Sequence, residues 1–311
     1  MPPLGSTPGG IRGGRYDAVN QGGAAAGDHA NPLAERPTVR VGLIERPRLV
    51  GRLGERFERR LTVVVAGAGY GKTPLLAQAI RDNALDPRGV DAWVQVSALD
   101  RTPAHLVATL SAAVVGDPAA AEDVPGLADL VLLRAPEEIA LVVDDTHLLD
   151  GSDGWSVLVG LLDLLPRNGH VVVSGRTVPP LGVRRRQAAG DAVVLGEEDL
   201  AFDPAEVAEL ASALGVDDGQ ALPPWPALAV LSATAGHEAS IDYLREELLE
   251  ALPPDRRRAL AIVSRLERFD DEVVAAATGG EWTATALVDG LPLTDSIGES
   301  HRLHDLPRVA L

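Results

Sequence analysis

The sequence predicts an α/β fold: a parallel sheet with helices on both faces, followed by a mainly helical region. Three observations predict it. Short β-branched runs alternate with segments of helical period over residues 39–200, a glycine-rich turn joins the first run to the first long helix, and after residue 200 the runs give way to helix starts and breaks. Strands separated by helices of this length pair in parallel, because each crossover must carry its helix back over the sheet.

Each element can be read in order. LTVVVA at Leu61–Ala66 is a β-branched run suited to a strand buried on both faces. LLAQAIRDNAL after the glycine turn reads as a helix, and Asp91–Val96 as the second strand. Thr102–Val115 has helical spacing, Ile139–Val143 is a third buried strand, and Trp155–Leu165 is a helix. His170–Ser174 is the fourth strand and Asp191–Leu195 a fifth. Asp203-Pro204-Ala205-Glu206 then marks a helix start, with Asp as N-cap, Pro at the first position and Glu at the third. Breaks follow at Leu222–Pro226, Gly236 and Pro253-Pro254, and Leu291–Thr294 with His301–Leu303 can form a small hairpin. Met1 to about Thr38 is rich in Gly, Pro and Ala without sustained periodicity, and reads as a disordered leader or linker.

Composition narrows the function. The chain has 311 residues, 46% hydrophobic and only 3% aromatic, so its cores must rest on Ala, Val and Leu. A net charge of −17 argues against direct nucleic-acid binding, since phosphate backbones reward clustered Lys and Arg. There are no cysteines, which excludes disulfides and thiolate metal sites. No apolar run reaches the ~18 residues of a membrane span, and the N-terminus does not read as a secretory signal, so a cytoplasmic protein without membrane contact is expected.

The chemistry is concentrated in Ala66-Gly67-Ala68-Gly69-Tyr70-Gly71-Lys72-Thr73. This is a P-loop in strand–turn–helix context. Glycines let backbone N–H groups converge on phosphates, and the following helix aims its positive end at the same anion. Lys72 can reach the β- and γ-phosphates, and the Thr73 hydroxyl can face Mg²⁺. The usual first glycine is replaced by Ala66. Pro74 is tolerable, because the first helical turn has spare N–H groups. The nucleotide, ATP or ADP with Mg²⁺, is therefore the expected cofactor.

Asp144-Asp145 close the third strand, at the carboxyl edge where α/β sheets bind ligands. Asp144 suits Mg²⁺, held through a water or through Thr73. Asp145 can orient or activate an attacking water with Lys72 on the phosphates; alternatively it only caps the next helix. Arg176 closes the fourth strand, where a guanidinium can sense the γ-phosphate or simply face solvent. His147 reads as a packing or surface residue rather than a metal ligand, and Arg184-Arg185-Arg186 as a solvated face or a docking patch.

Together these segments resemble the signal-transduction ATPases with numerous domains, the STAND class, and within it the large ATP-binding regulators of the LuxR type. The resemblance covers roughly Val39 to Leu311. RPRLVGRL at Arg46–Leu53 is similar to the entry segment lining the adenine pocket. AGAGYGKTPLLAQ resembles that class's P-loop, in which a first residue other than glycine is common. LVVDDTHLL resembles the Mg²⁺ strand, and the segment from Ser174 through Leu210 the sensor strand and the step into a helical lid. Pro224-Trp225-Pro226 looks like the Gly-x-Pro turn whose proline, here Pro226, packs on adenine, with Pro224 replacing the glycine. Leu303-His304-Asp305 looks like the Met-His-Asp motif, whose histidine, here His304, contacts the β-phosphate of ADP; on the residues alone His304 is a surface or core histidine.

The resemblance implies an α/β P-loop NTPase at 39–200, a helical lid domain at 201–252 and a winged-helix domain at 253–311. It also implies a slow ATPase that acts as a switch: closed with ADP, and open and self-associating with ATP. Members of the class continue into a repeat sensor and a DNA-binding module, whereas this chain stops at Leu311, so it is either a fragment of a regulator or lacks those parts. Two other readings compete, a kinase-like P-loop enzyme with a separate small substrate and an interaction module that a nucleotide merely stabilises.

Overall fold

The computed structural model describes residues 44–216, 222–250, 252–289, 291, 294–298 and 300–303. Helix α1 (Pro47–Gly54) leads into β1 (Leu61–Val65), α2 (Lys72–Leu85), β2 (Val90–Gln95), α3 (Pro103–Val115) and α4 (Val124–Leu132). Next come β3 (Ile139–Asp144), α5 (Trp155–Leu164), β4 (Gly169–Gly175), α6 (Val183–Ala188), β5 (Ala192–Leu195) and α7 (Glu197–Leu200). The five strands form one sheet in the order β2-β3-β4-β1-β5, and every pairing is parallel.

The β-branched runs form the sheet interior because both faces are covered. Along β3, Ile139, Leu141 and Val143 enter one core, whereas Ala140 and Val142 enter the other. β1 divides in the same way, with Leu61 and Val63 on one side and Val64 on the other. Successive side chains point to opposite faces, so an unbroken apolar strand is what a doubly covered sheet requires. The first core is filled by α3, α4 and α5, and the second by Leu49 and Leu53 of α1 and Leu75, Leu76 and Ile80 of α2.

The region after residue 200 is helical: α8 (Pro204–Leu214), α9 (Pro226–Thr234), α10 (Gly236–Leu244) and a π-helical turn at Arg245–Leu249. The expected cap of α8 is present in both halves. Asp203 accepts from the N–H groups of Ala205 and Glu206, and the Glu206 carboxylate accepts from the Asp203 N–H at 3.0 Å. These helices do not stand apart from the sheet. Trp225, Leu228, Ile241, Leu244 and Leu249 belong to the same core as α1 and α2.

The last elements are α11 (Pro254–Val263), α12 (Asp271–Thr278), α13 (Ala284–Val288) and the antiparallel pair β6 (Thr294–Ile297) and β7 (Ser300–Leu303). They surround a core of their own that includes Leu260, Val263, Phe269, Val274, Leu287 and Leu303. The hairpin corrects the expected strand Leu291–Thr294. Gly298, at φ 64°, places the turn, so the first strand must run up to Ile297. α1, α4, α6 and α7 are additions to the elements read from sequence. Among the described residues, no helix is long and apolar enough to cross a membrane.

Candidate functional site

The carboxyl ends of all five strands meet at one edge of the sheet. β1 runs into Ala66–Thr73, β2 ends at Gln95, β3 at Asp144, β4 at Gly175 before Arg176, and β5 just before Glu197. β4 lies between β1 and β3, so Arg176 leaves the sheet between the glycine loop and the aspartate pair.

Gly69 and Gly71 carry the loop's turn at φ 75° and 76°, the left-handed region that costs other residues energy. Ala66 does not take positive φ, and its methyl group is buried in the core. A first-position alanine is therefore compatible with this turn. Lys72 begins α2, and its buried ammonium donates to Ala66 O at 2.8 Å and Gly67 O at 2.7 Å. Burial lowers its pKa, and the Asp144 carboxylate opposes that shift.

Thr73 Oγ1 donates to Asp144 Oδ2 at 2.6 Å. Asp144 is fully buried, and burial raises its pKa, while the Thr73 hydroxyl pulls the other way. A hydroxyl and a carboxylate in contact make a hard oxygen pair, the donor chemistry of Mg²⁺. Asp145 takes φ 58°, uncommon for a residue other than glycine, and makes no capping hydrogen bond to the 3₁₀ turn that follows. Its Oδ2 instead accepts from Gln95 Nε2 at 3.0 Å. Helix capping therefore does not account for Asp145. His147 Nδ1 lies 3.9 Å from Asp145 Oδ1, and burial, followed by the Arg176 charge, lowers its pKa.

A cavity of about 610 Å³ opens onto this edge. Gly69, Gly71, Lys72, Thr73, Asp145 and Arg176 line one part of it, and Ile44, Arg46, Gln78, Phe202, Pro226 and Val230 another. Of the entry segment Arg46–Leu53, only Arg46 reaches the cavity wall; Leu49 and Leu53 are core. Pro226 starts α9, and its ring would meet a Cβ on Gly71 at 4.0 Å. Arg176 faces Glu247, with Nη2 to Oε2 at 3.6 Å. His304 and Asp305 lie outside the described residues.

Several residues at the site escape sequence reading. Trp225 Nε1 donates to Ala68 O at 3.0 Å, and the Ala227 N–H donates to Gly69 O at 2.9 Å. The Tyr70 ring stacks on Trp225, with centroids 5.8 Å apart. A Cβ on Gly69 would meet the Tyr243 hydroxyl at 2.5 Å and Ala227 at 2.7 Å. The start of α9 is thus docked directly on the loop backbone. On the other side, Glu197 accepts from the Gly67 N–H at 2.8 Å and from the Tyr70 hydroxyl at 3.5 Å. Burial and this carboxylate push the Tyr70 phenol well above its ordinary pKa. The only sequence signal for this cluster is scarcity. The chain has three tyrosines and four tryptophans, and two of the former and one of the latter gather here.

The chain is similar to known proteins in sequence and in fold. The HTH-type transcriptional regulator MalT of Vibrio parahaemolyticus is 27% identical over 299 residues, covering 82% of this chain and 32% of the relative. MalT of Vibrio cholerae is 25% identical over 321 residues, covering 87% and 35%. The chain therefore spans about a third of the length of these curated relatives. A Walker-type ATPase of Pyrococcus abyssi aligns with a TM-score of 0.58 at 13% identity, over 89% of this chain and 98% of that one, which shows a shared fold. No protein-family model matches the chain.

Proposed function

This chain is a homologue of the LuxR-type STAND P-loop ATPases represented by the MalT regulators, and on that premise we propose that it is the ATP- and ADP-binding switch core of a signal-responsive transcriptional regulator. The observation that carries this reading is the docking of α9 on the phosphate loop through Ala68 O and Gly69 O. A ligand held by the loop then acts on the helices after residue 200 as well as on the sheet. A nucleotide can move such an equilibrium only if it binds the two states with different affinity.

In this reading the loop N–H groups and the start of α2 hold the phosphates, with Lys72 at the β- and γ-positions. Thr73 and Asp144 hold Mg²⁺, which neutralises phosphate charge when bound. Asp145, held by Gln95, orients the water, and Arg176 faces the γ-phosphate. The wall of Ile44, Gln78, Phe202 and Pro226 takes the base. Residues 201–252 act as the lid and 253–311 as a winged-helix domain, with His304 at the β-phosphate. The ATP form self-associates.

Two experiments bear on this. Mass spectrometry of nucleotide released on denaturing the purified protein is expected to find ADP, and steady-state turnover is expected well below the ~1–100 s⁻¹ of ordinary phosphotransferases. Turnover within that range would contradict a switch. The second concerns Asp144. A carboxyl raised above its unfolded-state pKa contributes stability at pH values below the ordinary aspartate pKa, and this contribution is lost as pH rises through the raised value. At neutral pH the ionised Asp144 therefore costs the ligand-free fold. Asp144→Asn is expected to raise the melting temperature of the nucleotide-free protein at pH 7 while weakening Mg²⁺-dependent nucleotide binding. A lower melting temperature together with unchanged binding would contradict the assignment.

A further inference from the structure

A phosphate-binding cavity is ordinarily lined with donors and cations, yet a second carboxylate besides Asp145 lines this one. Glu247 lies on the π-helical turn Arg245–Leu249 and lines the same cavity as Lys72, Thr73, Asp145 and Arg176. Its Oε2 is 3.6 Å from Arg176 Nη2, and the two side chains are 41% and 47% exposed, so an entering solute can reach both. Tyr243, four residues earlier, places its hydroxyl against Gly69. Burial and then the Glu247 charge raise the pKa of that phenol, while Arg176 opposes them. Tyr243 and Glu247 thus form one face of the segment after α9, and that face is aimed at the phosphate loop and the end of β4.

We propose that Glu247 is a specificity-determining residue that makes the closed cavity favour a nucleoside diphosphate over a triphosphate. The inference rests on the reading of the cavity as a nucleotide site. With a diphosphate bound, Arg176 remains paired with Glu247, and that pair ties the lid to the end of β4. A third phosphate adds negative charge beside Arg176 and presents several strong acceptor oxygens to a planar guanidinium. Once Arg176 turns to the phosphate, Glu247 has lost its counter-ion and faces an anion of like charge. Like charges close together in a partly screened cleft repel, and the repulsion falls only if the lid segment moves away. Glu247 sits on a π-helical turn, which interrupts the regular helix ladder. Glu247 therefore supplies the differential affinity that a nucleotide-dependent change of state requires.

The test is calorimetric titration of wild type, Glu247→Gln, Arg176→Ala and the double variant with MgADP and with the Mg²⁺ complex of β,γ-methylene-ATP. Glutamine keeps the shape and removes the charge, and the half-exposed position should let the variant fold. Glu247→Gln is expected to raise the triphosphate affinity relative to the diphosphate by about 5- to 10-fold, with MgADP affinity held within about 2-fold. In the Arg176→Ala background the same substitution is expected to change the ratio in the same direction, but by a different factor, because the two residues are coupled. A ratio unchanged by Glu247→Gln, with both nucleotides still binding, would overturn the proposal and leave the nucleotide site intact. If wild type bound neither nucleotide, the site reading and the proposal would fall together.

Discussion

Lys72→Ala is expected to weaken MgADP binding about 100-fold or more, while the chain remains folded. The expectation follows from where the ammonium sits. Its stem is buried at the start of α2, and its donors are already turned into the loop, on Ala66 O and Gly67 O. A phosphate seated in the loop would meet a cation that pays little ordering entropy to engage it. Hydrogen bonds to charged groups contribute about 1.5–3 kcal/mol each, so losing two gives about 100-fold or more in affinity. Alanine in the first turn of α2 keeps the helix, and the two loop carbonyls gain access to water in the cavity. Calorimetry with circular dichroism on the same sample separates the two effects. Binding within a few-fold of wild type would show that the phosphates are not held at this loop.

Glu206→Ala should instead act on stability. Arg46 is 4% exposed, and its guanidinium is enclosed by the Glu206 carboxylate at 2.9 and 2.8 Å, by Leu200 O and Ala201 O, and by the Phe202 ring at 5.0 Å. Removing Glu206 leaves a buried cation whose remaining partners are neutral, and it also opens half of the α8 capping box. Breaking a buried pair from one side costs about 3–5 kcal/mol, which for a chain of this size lowers the melting temperature by about 10 °C. Arg46→Met with Glu206→Leu is expected to be less damaging than Glu206→Ala alone, since no charge is then stranded. A thermal melt of the three proteins decides; a shift of less than about 2 °C for Glu206→Ala would show that the pair is solvated.

Glu206 also shows where sequence reading stops. Its local role was legible, because a capping box is a pattern of four consecutive residues. Its partner Arg46 lies 160 residues away, and no spacing rule points to it. The same division holds across the molecule. β1, β3 and β4 were legible as β-branched runs, and the loop as a motif tied to a strand and a helix. Asp144 and Arg176 could be placed at the site because strand ends in a parallel sheet converge on one edge. Glu197, Trp225, Tyr243 and Glu247 could not, since each reaches the loop or the end of β4 from an element that tertiary packing brings there. The strand order explains part of this. β5 pairs with β1, so the residue after its glycine arrives beside Gly67 although 130 positions separate them.

Trp225 carries a related lesson. Proline at Pro224 stands where the related turn has glycine, and it restricts the backbone there. Pro224 O nevertheless accepts from the Phe202 N–H at 2.7 Å, and Pro226 still opens α9 at the cavity. The middle residue of the turn, which the motif leaves free, is the one that bonds the loop backbone. A position that tolerates any residue in a pattern can acquire a specific role from its neighbours, here the Tyr70 ring and Ala68 O.

On this reading the cavity between the phosphate loop and the helices after residue 200 binds one nucleotide. Calorimetric titration of MgADP into protein stripped of ligand tests this most directly. Saturable binding at one site per chain is expected, lost on Lys72→Ala. Absence of saturable binding at millimolar MgADP, in protein that melts cooperatively, would contradict it.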